Sequence, residues 1–429
     1  MSPFAKTFFL HGLRRLRTGS LELVAPDGTR EFGDPDSPLK ATIAVHNERF
    51  YRRALLGDDA AIGESFVDGD WSSPDLTAVV RFAILNLNAI EPKNFFIGAL
   101  AGAFDVIRHK LRRNSVAGSR RNIHAHYDLS NEFFRLFLDR GMMYSCAFYQ
   151  TPDDSLETAQ FNKLDRICRK LHLGPDDHVL EIGTGWGGFA EHATRHYGCR
   201  VTSTTISDEQ FGYATERLGS SAAVLKEDYR NLRGQYDKIV SIEMFEAVGF
   251  EYYDTFFSAC DRLLKPDGSM LLQTITMNER SFPQYRRRSD WIQKHIFPGA
   301  ELASVTGILQ SLTRATRLSL FDAEDIGLHY ARTLADWRER FHLRLDEVRA
   351  LGFDERFIRM WDYYLSYCEG AFLERHAGDM QLVLTKARSL PNWRDESTAS
   401  VRGRRSNMEF GEHQKGLREP HFGSRSEGD

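Results

Sequence analysis

The sequence has few cysteines, no long apolar run and no excess of positive charge, and each absence excludes a class of protein. Its five cysteines are scattered without a C-x-x-C pair, which argues against a disulfide framework or a thiolate zinc site and favours a reducing cytosol. The longest uncharged apolar run, residues 95–104, is too short to cross a bilayer, so any membrane contact must be peripheral. A net charge of −4 lacks the basic signature of a nucleic-acid-binding protein. No metal site is expected.

What is present indicates a large soluble protein. The chain has 429 residues, of which 41% are hydrophobic and 27% charged, so it has enough apolar residues for a sizeable core. Aromatic residues reach 12%, with 30 phenylalanines. Such a quantity of aromatic surface needs a core or an apolar ligand to cover it.

Composition divides the chain into four segments. Residues 1–105 are predicted to form a small α+β domain, with a hairpin turn at Asp27-Gly28. Residues 106–121 are rich in Lys and Arg without an acid. This stretch is either a solvated linker or a strip facing lipid phosphates, where each cation contributes about 1 kcal/mol near an anionic bilayer. Residues 122–390 are predicted to be the catalytic domain, and residues 391–429 a disordered polar tail.

The third segment has the pattern of a doubly wound α/β fold. Buried strands are predicted at residues 178–183, 200–206, 237–245 and 269–276, with helices between them. Alternating strands and helices of this kind form a parallel, Rossmann-like sheet. The connection from Thr276 to about Leu328 exceeds a minimal crossover, and we interpret it as a helical lid over the acyl chain. Its Arg286, Arg287 and Arg288 are either available to a phosphate or a solvated run of charge.

A glycine-rich loop follows the first of these strands. Glu181-Ile-Gly183-Thr-Gly185-Trp-Gly187-Gly places glycines, which let a ligand approach the backbone, before a helix N-terminus. The same letters fit a dinucleotide site, but that fingerprint expects an acid about 20 residues later, where the chain has Thr204-Thr205. The acidic E-x-G-x-G-x-G pattern instead resembles motif I of S-adenosylmethionine-dependent methyltransferases.

Further segments carry a more specific resemblance. His126-Tyr-Asp-Leu-Ser130, Tyr144-Ser145-Cys146, Met244-Phe-Glu-Ala-Val-Gly249 and residues 271–276 together resemble the cyclopropane-fatty-acyl-phospholipid synthases and the mycolic acid cyclopropane synthases. The similarity covers about residues 20–390. It implies a Rossmann-like methyltransferase fold preceded by a small α+β domain, S-adenosylmethionine as cofactor, and bicarbonate as a second bound group.

The resemblance also assigns site residues by position. The implied cofactor-binding residues are Tyr144, Ser145, Glu181, Gly183, Gly185, Gly187, Thr205, Ile206, Gln210, Asp228 and Tyr229. The implied catalytic residues are Cys146, Glu246, Ile275 and Tyr330, which match a bicarbonate pocket, together with Gln273 and Cys368. Gln273 stands where the family has His, and Thr184 where it has Cys. An amide can bond an oxyanion but cannot become cationic.

The resemblance implies transfer of a one-carbon unit from S-adenosylmethionine to the double bond of an unsaturated phospholipid acyl chain, giving a cyclopropane. Such a reaction needs an apolar pocket, aromatic faces towards a developing cation, and one base. Two other enzymes stay open: a methyltransferase giving a methyl- or methylene-branched lipid, and one acting on a small molecule. A lipid-binding protein with a degenerate site is a further alternative. The expected partner is the inner membrane face, bound peripherally; a homodimer is left open.

Overall fold

The computed structural model describes residues 3–57, 60–87, 129–287 and 290–387. The basic linker 106–121, the His126-Tyr127-Asp128 motif, Arg288 and the tail 391–429 lie outside these residues, so the predictions made for them stay untested.

The N-terminal part is a small four-stranded sheet with helices. Strands β1 (Ser20–Ala25), β2 (Gly28–Gly33), β3 (Lys40–Val45) and β4 (Trp71–Ser72) pair in the order β2-β1-β3-β4. The predicted hairpin at Asp27-Gly28 is confirmed, because β1 and β2 pair antiparallel around it. The helices beside the sheet in the described residues are α1 (Pro3–Leu13), α2 (Arg49–Leu56), α3 (Ala61–Val67) and α4 (Leu76–Leu85). Asp75 caps α4 by accepting from the amide of Ala78.

The larger sheet has seven strands in the order β10-β11-β9-β8-β5-β6-β7. Its strands are β5 (His178–Ile182), β6 (Arg200–Thr205), β7 (Ala223–Lys226), β8 (Tyr236–Ile242), β9 (Leu264–Met277), β10 (Ser319–Asp325) and β11 (Ala377–Thr385). Strands β9, β8, β5, β6 and β7 are parallel. The predicted Rossmann-like sheet is therefore confirmed, and its four predicted strands are present. The antiparallel pair β10 and β11 at one edge was not predicted.

Helices surround this sheet and supply the predicted insertion. They are α5 (Asn131–Arg135), α6 (Leu156–Lys170), α7 (Gly188–Tyr197), α8 (Asp208–Leu218), α9 (Tyr253–Leu263), α10 (Phe282–Tyr285), α11 (Trp291–His295), α12 (Val305–Ala315), α13 (Gly327–Leu343), α14 (Leu345–Ala350) and α15 (Glu355–Leu373). Helices α10 to α12 form the insertion between β9 and β10. A role for this insertion as a lid over an acyl chain stays a prediction.

The long helix α15 connects the two sheets. Towards the N-terminal part, the guanidinium of Arg359 donates to the carbonyl of Trp71 at 2.9 Å, and Thr77 donates to Glu369 at 2.8 Å. A Cβ added to Gly370 would lie 2.7 Å from Val80, so only glycine lets α15 and α4 approach so closely. On its other side, the hydroxyl of Tyr364 lies 2.9 Å from that of Tyr144.

No helix within the described ranges has the length and apolar character needed to cross a membrane.

Candidate active site

The glycine loop lies at the carboxyl end of β5, in the crevice where α/β sheets bind ligands. Gly183, Gly185 and Gly187 have positive φ angles of 102°, 52° and 83°, which side chains with a Cβ rarely adopt. A Cβ added to Gly185 would meet nothing within 4 Å. The loop therefore leaves open space beside its backbone at the start of α7, which suits the close approach of S-adenosylmethionine.

Glu181 lies one residue before the end of β5 and holds the loop in place. Its buried carboxylate accepts a hydrogen bond from Ser203 on β6, and the hydroxyl of Ser203 lies 2.7 Å from that of Thr184. Burial raises the pKa of Glu181 to about 8. The carboxylate thus ties β5 to β6 beneath the loop, and direct contact with the cofactor stays a prediction.

The residues predicted to contact ribose and adenine occupy the ends of β6 and β7. Thr205 donates to the side-chain oxygen of Gln210 at 2.9 Å, in the first turn of α8, which leaves the amide nitrogen of Gln210 as the group that can donate to a ribose hydroxyl. Ile206, between them in sequence, is partly buried.

Asp228 and Tyr229 follow β7, where the adenine end is expected. Asp228 receives two bonds from Arg230, at 2.8 Å and 2.6 Å, so an ion pair fixes this loop. The ring of Tyr229 packs edge-on against Phe256 with centroids 5.3 Å apart.

Tyr144 lies against the helices α13 and α15, and Ser145 lies against α6. The Tyr144 ring packs against Phe134 and Trp337 at centroid distances of 5.3 Å and 5.2 Å. The hydroxyl of Ser145 accepts from the ammonium of Lys163 at 2.7 Å. Lys163 is completely buried, and burial lowers its pKa. The positions predicted for the methionine end of the cofactor therefore adjoin an aromatic cluster and a buried cation.

A network of carboxyl and amide groups occupies the predicted catalytic pocket, and its central residue was not predicted. The Oε1 atom of Glu243 accepts from the backbone N–H of Cys146 at 2.7 Å and from Nε2 of Gln273 at 2.8 Å. Its Oε2 atom accepts from the hydroxyl of Tyr330 at 2.6 Å. The Gln273 amide also donates to Asp379 at 3.0 Å. We call Glu243, Glu246, Gln273, Tyr330 and Asp379 the carboxylate cluster.

Glu246 lies next to these groups and has one unbonded oxygen. Its Oε1 accepts from the hydroxyl of Thr274 at 2.8 Å and from the amide of Ile275 at 2.5 Å. Its Oε2 is buried and has no hydrogen-bond partner among the described residues. Burial, with the nearby Glu243 carboxylate, raises the pKa of Glu246 to about 7. A buried carboxylate with an unpartnered oxygen is typical of a functional site rather than of a core.

The structure does not bring Cys368 into this network. Cys368 lies on α15 one turn after Tyr364, and none of the hydrogen bonds of the carboxylate cluster involves it. Burial raises the pKa of its thiol, which disfavours the reactive thiolate. Cys146 contributes through its backbone N–H, while its own thiol donates to the carbonyl of Ala147 at 3.2 Å.

Sequence reasoning missed Glu243, Lys163 and Asp379. Glu243 carried a usable signal, because it follows directly after a buried strand of a parallel sheet, as Glu246 does three residues later. Lys163 sits within an amphipathic helix and Asp379 within an apolar strand. Neither position has a local pattern that distinguishes a buried charge from a solvated one.

Arg286, which was predicted to be available to a phosphate, has partners within the protein. The Arg286 guanidinium pairs with buried Glu301 at 3.0 Å and lies 3.6 Å from the centre of the Phe250 ring. Glu301 therefore compensates the Arg286 charge through Nε, while a third of the side chain stays exposed, so the expected contact with a lipid phosphate stays a prediction. Arg287 is exposed.

Known proteins resemble this chain over most of its length. The sequence model of the family described as mycolic acid cyclopropane synthetase matches residues 114–382. Tuberculostearic acid methyltransferase UfaA1 of Mycobacterium tuberculosis is 38% identical over 393 residues, 87% of this chain and 90% of that protein. Cyclopropane-fatty-acyl-phospholipid synthase of Escherichia coli K12 is 39% identical over 351 residues, 81% of this chain and 88% of that protein.

Solved structures agree with the fold and the cofactor. Mycolic acid cyclopropane synthase CmaA1, complexed with SAH and CTAB, aligns with a TM-score of 0.58 and 32% identity over 62% of this chain and 98% of its own. Coclaurine N-methyltransferase reaches the same TM-score at 18% identity, a similarity that extends to the fold alone. The family match, the coverage of the relatives and the glycine crevice lead to one conclusion. The chain belongs to the mycolic acid cyclopropane synthetase family and is an S-adenosylmethionine-dependent methyltransferase.

Proposed function

We propose that this enzyme transfers a one-carbon unit from S-adenosylmethionine to the double bond of an unsaturated phospholipid acyl chain and closes a cyclopropane. One observation carries the proposal. The glycine crevice adjoins the carboxylate cluster, since a Cβ on Gly183 would lie 2.9 Å from Met244, the residue after Glu243. Among the described residues of that network none is an activated nucleophile, because burial raises the pKa of the Cys146 thiol. An alkene reacts through its own π electrons, so the protein has to supply cation stabilisation and a base.

Each part of the site has a role in this reaction. Bound S-adenosylmethionine supplies a methyl group made electrophilic by its sulfonium. Gly183, Gly185 and Gln210 would hold it. The ring of Tyr144 offers an aromatic face, and the unbonded Oε2 of Glu246 offers negative charge, towards the positive charge that develops on the acyl chain. The relative from Escherichia coli, which is named as a cyclopropane-fatty-acyl-phospholipid synthase, supports the phospholipid assignment.

Purified protein tests this proposal directly. We expect vesicles of dioleoyl phosphatidylglycerol with S-adenosylmethionine to give a lipid heavier by one CH₂ and a cyclopropyl signal in proton NMR. The NMR measurement is essential, since a methylene branch has the same added mass. Absence of any modified lipid from an enzyme that binds S-adenosylmethionine would refute the lipid substrate. Methylation of a small amine in its place would favour the small-molecule alternative.

A methyl- or methylene-branched product is the second candidate. Its support is the relative named as a tuberculostearic acid methyltransferase, which matches 87% of this chain. Both products come from the same initial cation. In the cyclopropane the transferred carbon loses a proton as the ring closes, whereas in the methylene branch a hydride first shifts to the neighbouring cationic carbon and the transferred carbon then loses its proton to form the double bond of the branch. A methyl branch arises when a proton leaves another chain carbon instead, and a saturated methyl branch would need a hydride donor in addition. Vinylidene or branched-methyl signals in the same NMR spectrum, without a cyclopropyl signal, would establish this candidate.

We further propose that α1 binds the bilayer surface. Phe4 and Phe8 lie one turn apart on α1 and are 74% and 68% exposed. Exposed Arg14 and Arg15 follow the helix. Apolar side chains beside cations are typical of helices that lie in the interface of an anionic membrane.

Vesicle co-sedimentation tests the membrane proposal. Phe4→Ser with Phe8→Ser should release most of the protein from anionic vesicles, because two buried rings contribute several kcal/mol at about 1.5–3 kcal/mol each. Phe321→Ser is the matched control, since Phe321 is an exposed phenylalanine on β10, 49% accessible. Equal sedimentation of the double variant and wild type would exclude α1 as the membrane contact.

A further inference from the structure

The donors expected to hold bicarbonate are already bonded to Glu243. The resemblance assigns that anion to Cys146, Tyr330, Glu246, Ile275 and the position of Gln273. The Cys146 N–H, the Gln273 amide and the Tyr330 hydroxyl instead all donate to the two oxygens of the Glu243 side chain, at 2.6–2.8 Å. The Ile275 amide donates to Glu246. A side-chain carboxylate has the same planar pair of oxygens as bicarbonate, so Glu243 takes the place of the free anion.

Charge in the carboxylate cluster also disfavours a second anion. The Glu246 carboxylate lies beside that of Glu243, and like charges in a desolvated site repel strongly. Lys163 faces the same groups from α6 and bonds Ser145. The residues present therefore do not fit a bound bicarbonate.

The backbone at Glu243 holds a disfavoured conformation. Its φ angle is +48°, in the left-handed region that residues with a Cβ rarely occupy. The Glu243 amide donates to the carbonyl of Gln273 at 2.8 Å, which anchors the turn at the end of β8. Disfavoured backbone that the surroundings hold in place is concentrated at functional sites.

We propose that Glu243 is a built-in catalytic base that replaces bicarbonate in this enzyme. The inference rests on the proposed function. The alkene π pair forms a bond to the methyl carbon while the carbon–sulfur bond breaks and leaves its electron pair on sulfur. A proton then passes from the transferred carbon to the Glu243 carboxylate, and the freed C–H pair forms the second carbon–carbon bond of the ring. Glu243 afterwards releases the proton to water.

Burial raises the pKa of Glu243, but its hydrogen bonds favour the ionised form more at Glu243 than at the neighbouring Asp379. Three donors bond its carboxylate, whereas Asp379 on β11 receives the Gln273 amide. Burial, followed by the charge of Glu243, raises the pKa of Asp379 well above its usual range. Of the two carboxyl groups, Glu243 is therefore ionised and Asp379 carries the proton. Besides Asp379, the titratable groups of the described residues that face Glu243 are Lys163 from α6, Glu246 from the segment after β8, Tyr330 from α13, Tyr364 from α15 and Cys146 from the segment before α6.

Two variants of Glu243 test the inference by turnover in buffer depleted of carbon dioxide. Wild type should keep its full rate there. Glu243→Gln keeps the shape but loses the base, so turnover should fall about 100-fold or more. Glu243→Gly relieves the positive φ and opens the anion position. It should be equally slow in depleted buffer and gain at least about tenfold when bicarbonate is added. Glu251→Gln, an exposed neighbour in sequence, is the control.

Binding of ¹³C-labelled bicarbonate, followed by NMR line broadening, gives a readout that does not depend on the lipid substrate. Glu243→Gly should bind the ion and wild type should not. Bicarbonate binding by wild type, a wild-type rate that falls when carbon dioxide is removed, or an active Glu243→Gln variant would each overturn the inference. A wild type that modifies no lipid would refute the proposed function alone, and the binding measurement would still decide whether Glu243 fills the anion position.

Discussion

Replacing Glu246 by Gln should raise the stability of the variant relative to wild type as the pH rises, while removing a group from the active site. The native pKa of Glu246 is raised from an ordinary 4.5 to about 7, chiefly by burial and secondly by the Glu243 carboxylate. At about 1.4 kcal/mol for each tenfold change in the acid constant, ionised Glu246 destabilises the fold by about 3 kcal/mol.

The sign of the effect follows from proton binding. Between pH 4.5 and about 7 the native state keeps a proton on Glu246 that the unfolded chain has lost, so stability falls as pH rises through this window. Below it the group is protonated in both states and the destabilisation disappears. Gln keeps an oxygen to accept from Thr274 and Ile275, and its unpaired amide adds about 1–3 kcal/mol of destabilisation at every pH.

Urea unfolding at pH 5, 6, 7 and 8 measures the difference in unfolding free energy between Glu246→Gln and wild type. That difference should move by about 2–3 kcal/mol in favour of the variant from pH 5 to pH 8, while the difference for Glu251→Gln should stay flat. A flat profile for Glu246→Gln would refute the reasoning, since it would show that Glu246 ionises in the native protein without a cost.

Three further changes test other parts of the site. Gly185→Val should weaken binding of S-adenosylmethionine at least about tenfold in calorimetry, because a side chain enters the open space beside the loop; unchanged affinity would place the cofactor elsewhere. Tyr330→Phe removes a donor from Glu243 and raises its pKa, so the acid limb of the kcat profile should move to higher pH, and an unmoved limb would contradict the role of that hydroxyl. Cys368→Ala should keep turnover within about fivefold of wild type, because its thiol lies outside the hydrogen-bond network; a 100-fold loss, about 2.7 kcal/mol, would make Cys368 a reacting group.

The sequence predicted the sheet well because its signals there are local. The strand from His178 to Ile182 carries Val179, Leu180 and Ile182 and ends in a glycine loop, and both features determine structure within a few residues. The antiparallel edge was missed since β10 is largely exposed and carries acids at alternate positions, which gives it no buried-strand pattern.

Long-range contacts explain what could not be predicted in the active site. The contact between Glu243 and Tyr330 joins residues 87 apart in the chain, and Gln273 reaches Asp379 across 106 residues. Gln273 was expected to bond an oxyanion, and it does bond one. This oxyanion is the side chain of Glu243, which the positive φ of Glu243 directs towards Gln273. A glutamate in the sequence gives no local signal for a positive φ.

Because α15 contacts both the N-terminal part and the active site, the chain cannot be truncated between these parts without exposing one face of that helix. A fragment beginning near residue 129 would uncover the face of α15 where Gly370 meets Val80 and Arg359 meets Trp71, and an uncovered apolar face promotes aggregation. The same helix carries Tyr364, which bonds Tyr144 beside the cofactor crevice. Trimming the chain for crystallisation or fusion at that point would therefore disturb the reaction centre, although no catalytic residue is removed.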